Sequence, residues 1–262
     1  MPDAGWSLTM TLNPRQRRLL DAVRRQVTVS VEDLALELGV TPQTVRRDVK
    51  LMEESQLLAR YHGGVGLPSS VENIDYSQRQ VLNIDAKRRI AAAVAGRVRP
   101  GCSLLINIGT TTEEVARALV HHQGLHVVTN NLNVAGILSS QPECEVIVAG
   151  GVVRGRDRAI VGEATVDFIR QFKVDIGIIG VSSIEPDGTL RDFDPREVKV
   201  AQAIIEQSRE VWLVADRTKF DRQALVRITQ LSEIDKLFCD APPPQALMRL
   251  LREASVEVLV AP

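Results

Sequence analysis

The stretch Val29-Ser-Val-Glu-Asp-Leu-Ala-Leu-Glu-Leu-Gly39-Val-Thr41-Pro-Gln-Thr-Val-Arg-Arg-Asp48 decides how the first quarter of the chain folds. Gly39 can stop a helix, because glycine accepts the left-handed backbone that follows a last turn. Thr41 offers a hydroxyl to cap the next helix, and Pro42 takes its first position, where a missing N–H costs nothing. A helix, a turn of about three residues and a second helix make a helix-turn-helix. Stepping roughly 100° per residue along the second helix puts Val45, Val49 and Met52 on one side. Gln43, Arg46, Arg47 and Lys50 share the other. The apolar stripe is expected to pack inward. The opposite face suits a DNA major groove, since glutamine pairs with adenine edges and arginine with guanine. Lys50 and one of the arginines better suit phosphate oxygens. Thr41 and Thr44, at the helix start, complete the contacts expected from this element.

Around this motif, helices are expected over Pro14–Gln26, Val31–Leu38 and Pro42–Gln56, with a hairpin over Leu57–Leu67 around Gly63-Gly64. Arg60 and His62 on that hairpin are placed to touch DNA as a wing would. Residues 1–67 hold nine basic and eight acidic side chains, yet Arg15, Arg17, Arg18, Arg24 and Arg25 meet only Asp21 within the first helix. Such local positive charge is what phosphate contact requires. Residues 1–11 are expected to be flexible, 12–67 to form the DNA-binding unit, and 68–80 to be a linker punctuated by Pro68-Ser69-Ser70.

From residue 81 to 262 the texture changes. Strands are expected over Ser103–Ile108, Leu125–Thr129, Glu145–Ala149, Asp175–Val181, Val211–Ala215, Lys236–Cys239 and Val256–Val260. Between them fall helices over Thr112–His121, Leu132–Ser139, Glu163–Phe172, Pro195–Gln207 and Pro243–Ala254. An earlier helix, capped by Asp85, runs through Val98. This alternation is an α/β domain with a mainly parallel sheet and helices on both faces. Ligands of such sheets lie beyond the carboxyl ends of the strands.

Composition bounds the reading. The 262 residues suit two domains, and 44% hydrophobic with 25% charged residues is ordinary for a globular chain. Aromatic residues are only 3%, so the core must be aliphatic. Thirty-two basic residues against 33 acidic ones exclude a uniformly basic nucleic-acid binder, though not a local patch. No apolar window reaches membrane-span length and the N-terminus lacks a signal-peptide pattern, so a cytoplasmic protein with no membrane partner is expected. Cys102, Cys144 and Cys239 are dispersed and odd in number, which suits reduced thiols. No His/Cys spacing suits a metal, and none is assigned.

The loops at strand ends carry the chemistry. Gly109-Thr110-Thr111-Thr112 follows an apolar strand and opens a helix, where backbone N–H groups and hydroxyls can hold a phosphate. Glu113 and Glu114 argue the other way, because acids in a first turn already satisfy the helix dipole. Thr129-Asn130-Asn131 offers amides for hydroxyl groups, Gly150-Gly151 allows close backbone approach, and Lys219 can neutralise phosphate. Asp192, Asp194 and Glu197 could bind polyol hydroxyls or simply cap a helix.

Thr41-Pro-Gln-Thr-Val-Arg-Arg-Asp48 followed by Tyr61-His-Gly-Gly64 resembles the DeoR family of bacterial transcriptional regulators. Ile108-Gly-Thr-Thr-Thr112, Thr129-Asn-Asn-Leu-Asn-Val-Ala135, Ala149-Gly-Gly151 and Asp216-Arg-Thr-Lys-Phe220 agree, and the likeness runs from about Thr11 to Val260. Val161-Gly-Glu-Ala-Thr-Val-Asp-Phe-Ile169 and Asp240-Ala-Pro-Pro-Pro244 resemble the branch that governs glycerol and glycerol-3-phosphate metabolism genes. The resemblance implies a winged helix-turn-helix joined to an effector domain like the ribose-phosphate isomerase and glucosamine-phosphate deaminase folds. It implies a homodimer or homotetramer on double-stranded operator DNA, a repressor released by sn-glycerol 3-phosphate, with no catalysis and no other cofactor. Bound to its operators, such a protein is associated with the bacterial nucleoid. By the same resemblance Lys219 matches a phosphate-side lysine of the isomerase fold. The family often has Asp where this chain has Asn107, and Lys where it has Ala201; Lys199 does not fit that spacing. Two alternatives stay open. One is a different sugar phosphate. The other is an isomerase or deaminase with a DNA-binding appendage, in which Glu197 would act as general base but lacks an evident electrophilic partner.

Overall fold

The computed structural model describes residues 12–25, 29–54, 57–61, 64–66, 76–220 and 222–262. Residues 1–11, His62, Gly63 and Leu67 of the expected hairpin, and residues 68–75 of the expected linker lie outside the described residues. By its internal contacts the chain divides into two units, 1–69 and 70–262.

In the first unit, α1 (Pro14–Arg25), α2 (Val31–Leu38) and α3 (Pro42–Glu54) precede a hairpin of β1 (Ala59–Tyr61) and β2 (Gly64–Gly66). Ser30 caps α2 by accepting the Asp33 N–H at 3.0 Å. Gly39 ends it with φ 67°, its N–H reaching the carbonyls of Ala35 and Leu36, a conformation that would strain a residue with a Cβ. Thr41 then accepts the Thr44 N–H at 3.3 Å, opening α3 as its sequence predicts. Leu19, Val23, Leu34, Val45, Val49, Met52 and Leu58 close over one another as an aliphatic core. Paired backbone bonds between Val29 and Val65, at 2.9 and 2.7 Å, tie the hairpin to the residue before the Ser30 cap of α2.

The second unit begins with α4 (Tyr76–Val81) and α5 (Ile84–Ala95). There follow β3 (Ser103–Ile106), α6 (Thr110–Ala118), β4 (Leu125–Thr129), α7 (Leu132–Leu138) and β5 (Cys144–Val148). A hairpin of β6 (Val152–Arg154) and β7 (Ala159–Val161) leads to α8 (Glu163–Ile169) and β8 (Val174–Gly180). Next come β9 (Ser183–Ile184), β10 (Thr189–Asp192), α9 (Pro195–Glu206), β11 (Ser208–Val214) and β12 (Val226–Gln230). The unit closes with β13 (Lys236–Cys239), α10 (Gln245–Glu253) and β14 (Glu257–Val260).

Seven strands form one sheet in the order β14-β13-β11-β8-β3-β4-β5. Every pairing in it is parallel. Alternate residues of each strand feed opposite cores. Leu104, Ile106, Ile178, Trp212 and Phe238 pack under α5, α6 and α7. Leu105, Ile179, Leu213 and Leu237 pack under α8, α9 and α10. Burial on both faces explains why the strands read as unbroken apolar runs. Each such buried side chain contributes roughly 1.5–3 kcal/mol. From β3 the chain proceeds outward through β4 and β5, then returns to β8 and proceeds the other way. The crevice between β3 and β8 is therefore the switch point, where a ligand of such a sheet sits.

Four expectations need correction. Residues 76–80 of the expected linker are helical, as part of α4. Asp85 does not cap α5: Asn83 precedes the helix with φ 53°, and Asp85 lies in the first turn, 3.8 Å from Arg88. The first sheet-to-cleft helix starts at Thr110 rather than Thr112, because Gly109 takes the capping position. The β6–β7 hairpin and the antiparallel sheet β12-β10-β9 were not anticipated; their strands of two to five residues are too short for a period to show. Among the described residues no helix is long and apolar enough to cross a membrane.

Candidate functional site

In the first unit, Gln43, Arg46, Arg47 and Lys50 all lie on the exposed face of α3, while Val45, Val49 and Met52 are buried. Arg46 holds Glu32 of α2 at 3.1 Å. Arg60 on β1 pairs with Glu53 at 3.2 Å. Thr41 and Thr44 share a hydroxyl–hydroxyl bond of 2.9 Å at the helix start. The cationic α1 is less available than its sequence suggests. Arg15 turns inward onto Asp48 at 2.6 Å, Arg17 reaches the Leu12 carbonyl, and Arg18 reaches that of Glu37.

In the second unit a cleft opens at the switch point. Its walls include Asn107 to Thr112 after β3, Gly180 to Ser182 after β8, and Asp192, Glu197, Ala201 and Lys219. Gly109 caps α6 at φ 142°, and a Cβ there would meet the Thr112 hydroxyl at 3.3 Å. The N–H groups of Thr110, Thr111 and Thr112 open the helix toward the cleft without intrahelical acceptors. The Thr112 hydroxyl bonds to the carbonyls of Asn107 and Gly109, both at 2.8 Å, so it braces the loop. The hydroxyls of Thr110 and Thr111 have no such partner among the described residues and line the cleft. Opposite them, the 3₁₀ turn Arg217–Lys219 follows β11, capped by Asp216 through the Thr218 N–H at 2.9 Å. Burial lowers the Lys219 ammonium to about 8, against the pull of Asp216. An amide-rich helix start facing an enclosed cation can hold a doubly charged anion.

Acidic residues line the cleft as well. Asp192 accepts the Ser182 hydroxyl at 2.9 Å and the Phe193 N–H at 2.7 Å. Glu197 is pushed up to about 7, by burial first and the charge of Asp192 second. Arg154 from β6 contacts Glu197, Asp194 at 2.8 Å and Asp157 at 2.9 Å. Asp194 is accounted for as the cap of α9, accepting the Arg196 N–H at 2.9 Å. Carboxyl groups held in this way can order the hydroxyls of a polyol.

Five expected residues stand behind the cleft rather than in it. The Thr129 hydroxyl donates to the Ile106 carbonyl at 2.7 Å. Asn130 donates to the Ile160 carbonyl at 3.1 Å, and Asn131 caps α7 through the Asn133 N–H at 2.9 Å. Gly150 accepts the Thr165 hydroxyl at 2.9 Å, and a Cβ on Gly151 would fall 2.2 Å from the same oxygen. The close approach at Gly151 is therefore to the protein itself. Lys199 points away from the site and pairs with Glu163 at 2.5 Å.

Residues 15–71 match the DeoR-like helix-turn-helix domain, and residues 82–241 match the DeoR C-terminal sensor domain. The chain belongs to the DeoR family. The glycerol-3-phosphate regulon repressor of Escherichia coli is 44% identical to it over 95% of this chain and 99% of that one. The protein of the same name from Haemophilus influenzae is 44% identical over 94% and 96%. The transcriptional repressor CsqR of Escherichia coli is 40% identical over 97% and 98%. Among solved structures, ribose 5-phosphate isomerase A from Neisseria gonorrhoeae overlaps 51% of this chain and 52% of that one, with 14% identity and TM-score 0.37.

Membership of the DeoR family makes this a DNA-binding transcriptional regulator rather than an enzyme. Within its sensor domain the structure adds Asp157 and Ser182 to the cleft, with Arg154 bracing the acids behind it, and α4 adds Tyr76 and Arg79. No spacing in the sequence marks these residues. A family alignment of exposed-looking polar positions is the signal that could have found them.

Proposed function

We propose that this DeoR-family protein is a repressor of glycerol and glycerol-3-phosphate metabolism genes, released from its operators by sn-glycerol 3-phosphate. It acts in the bacterial cytoplasm as a homodimer or homotetramer, and on its operators is part of the nucleoid. The observation that carries the reading is that one cleft holds both phosphate donors and hydroxyl acceptors. Thr110, Thr111 and Lys219 offer donors and charge to a phosphate, while Asp192 and Glu197 line the same cleft with acceptors for hydroxyls. A short phosphorylated polyol presents both kinds of group. The 44% identity to repressors of the glycerol-3-phosphate regulon supports the same ligand. On DNA, Gln43 and Arg46 read base edges, while Arg47, Lys50 and the hairpin residues Arg60 and His62 contact backbone or minor groove. The effector must bind the DNA-incompetent state more tightly than the competent one, or it releases nothing.

The test is titration of operator-bound protein with sn-glycerol 3-phosphate at fixed salt, beside glycerol and a panel of sugar phosphates. Release by glycerol 3-phosphate alone is expected. Release by another sugar phosphate would discard the ligand and keep the regulatory role.

A further inference from the structure

The helix α4 carries a cation that the reading above leaves unused. Arg79 lines the cleft from this helix, and its Nε is buried without a hydrogen-bond partner. Its nearest carboxylate is Asp157, at 4.0 Å, beyond hydrogen-bond reach. Asp157 is already engaged by Arg154, through bonds of 2.9 and 2.5 Å, so its oxygens are shared between two guanidinium groups. A buried guanidinium nitrogen with no acceptor is costly unless something absent from the chain supplies one.

Contacts from Lys87, Glu113 and Asn133 hold this helix in place, and one within it sets Arg79 over Tyr76. The Lys87 ammonium donates to the Arg79 carbonyl. The Arg79 guanidinium lies 5.7 Å from the centre of the Tyr76 ring. The Tyr76 hydroxyl donates to the Glu113 carboxylate at 2.6 Å, on the very helix whose first turn faces the cleft, and accepts from Asn133 and Gln80 at 2.8 Å each. Lys219 and Lys87 lie close enough for Arg79 to weaken the proton affinity of both. Three cations thus converge beside the first turn of α6, and of them the Arg79 Nε is the donor left without an acceptor.

We propose that Arg79 is an effector-binding residue that takes two phosphate oxygens of the ligand, completing from α4 the anion site built by the first turn of α6 and Lys219. This rests on the phosphorylated-polyol reading and deepens it. A guanidinium fork suits two phosphate oxygens, whereas an ammonium offers a point charge. The placement also gives the ligand a grip on α4, the first described element after the residues that lead from the DNA-binding unit.

The experiment measures binding of sn-glycerol 3-phosphate and of inorganic phosphate to full-length wild type, Arg79→Gln, Arg79→Lys and Thr110→Asp, by calorimetry. Thermal melts and operator binding of the free proteins are recorded alongside. Arg79→Gln is expected to weaken both ligands by about tenfold or more, the scale of a lost charged hydrogen bond. Arg79→Lys should recover part of that loss, with melts and operator binding as in wild type. If Thr110→Asp abolishes binding while Arg79→Gln leaves it unchanged, the cleft reading stands and the role of Arg79 is wrong. If Thr110→Asp binds both ligands as wild type does, or wild type binds neither, the cleft reading fails and this proposal with it. An early melt in Arg79→Gln that Arg79→Lys does not rescue would make Arg79 a structural residue and overturn the assignment.

Discussion

Arg15 and Asp48, 33 residues apart in sequence, meet at 2.6 Å and join the first helix to the DNA-reading helix. Gln16 adds a third group, donating to the same carboxylate at 3.2 Å. The pair adds a polar tie beside the buried stripe of Val45, Val49 and Met52, and so can steady the orientation of α3.

Replacing Asp48 by Ala removes the acceptor that both partners share. The Nε2 of Gln16, itself buried, then loses its acceptor, a loss of about 1–3 kcal/mol. The expected outcome is a lower melting temperature together with weaker operator binding, read by calorimetry and a binding titration. Unchanged operator affinity in a fully folded Asp48→Ala protein would show that the pair does not orient α3.

Arg46 rests on Glu32 at 3.1 Å when DNA is absent. Both side chains are exposed, so the pair is weak and easily exchanged for a base edge. Arg46→Ala should cost about 1–3 kcal/mol on operator DNA and relax preference at one base position. An equal loss on random-sequence DNA would instead make Arg46 a phosphate contact.

Thr110 opens α6 with its hydroxyl in the cleft. A carboxylate placed there by Thr110→Asp repels a phosphate. The expected variant binds operator normally and ignores sn-glycerol 3-phosphate. Release at wild-type ligand concentrations would show that this loop does not hold the phosphate.

Burial lowers the Lys219 ammonium from 10.5 to about 8, so the free protein loses that charge as pH rises through 8. A bound phosphate dianion favours the charged form and raises this pKa again. Ligand binding near pH 8 should therefore take up a fraction of a proton, and affinity should fall as pH rises above 8. Calorimetry in buffers of different ionisation enthalpy measures the proton directly. Proton release, or none, would remove Lys219 from the anion site.

The expectations that held rest on local signals. Gly39, Thr41 and Pro42 act within a turn of where they stand, and the helix period sorts α3 into its two faces before any partner is known. Thr129 and Asn131 show where such signals stop. A threonine and an amide at a strand end suit a ligand or a buried hydrogen bond equally well. Here their partners are the Ile106 carbonyl, 23 residues away, and the first turn of α7. The β9–β10–β12 sheet escaped for a related reason, since its register comes from pairing Leu190 with Ile184 and with Thr229 rather than from a period in the chain.

By itself the sequence determined the helix-turn-helix, the alternation of strands and helices, and the Gly109–Thr112 loop that faces the cleft, because caps and periodicities act over a few residues. Only the tertiary structure decided which polar groups meet there. The strand order puts β3 beside β8, bringing the Gly109 loop together with Ser182, and folds Arg79 toward Lys219 across 140 residues of chain. Whether a polar side chain faces solvent, another residue or a ligand depends on those long-range neighbours, whose burial and charge no local window contains.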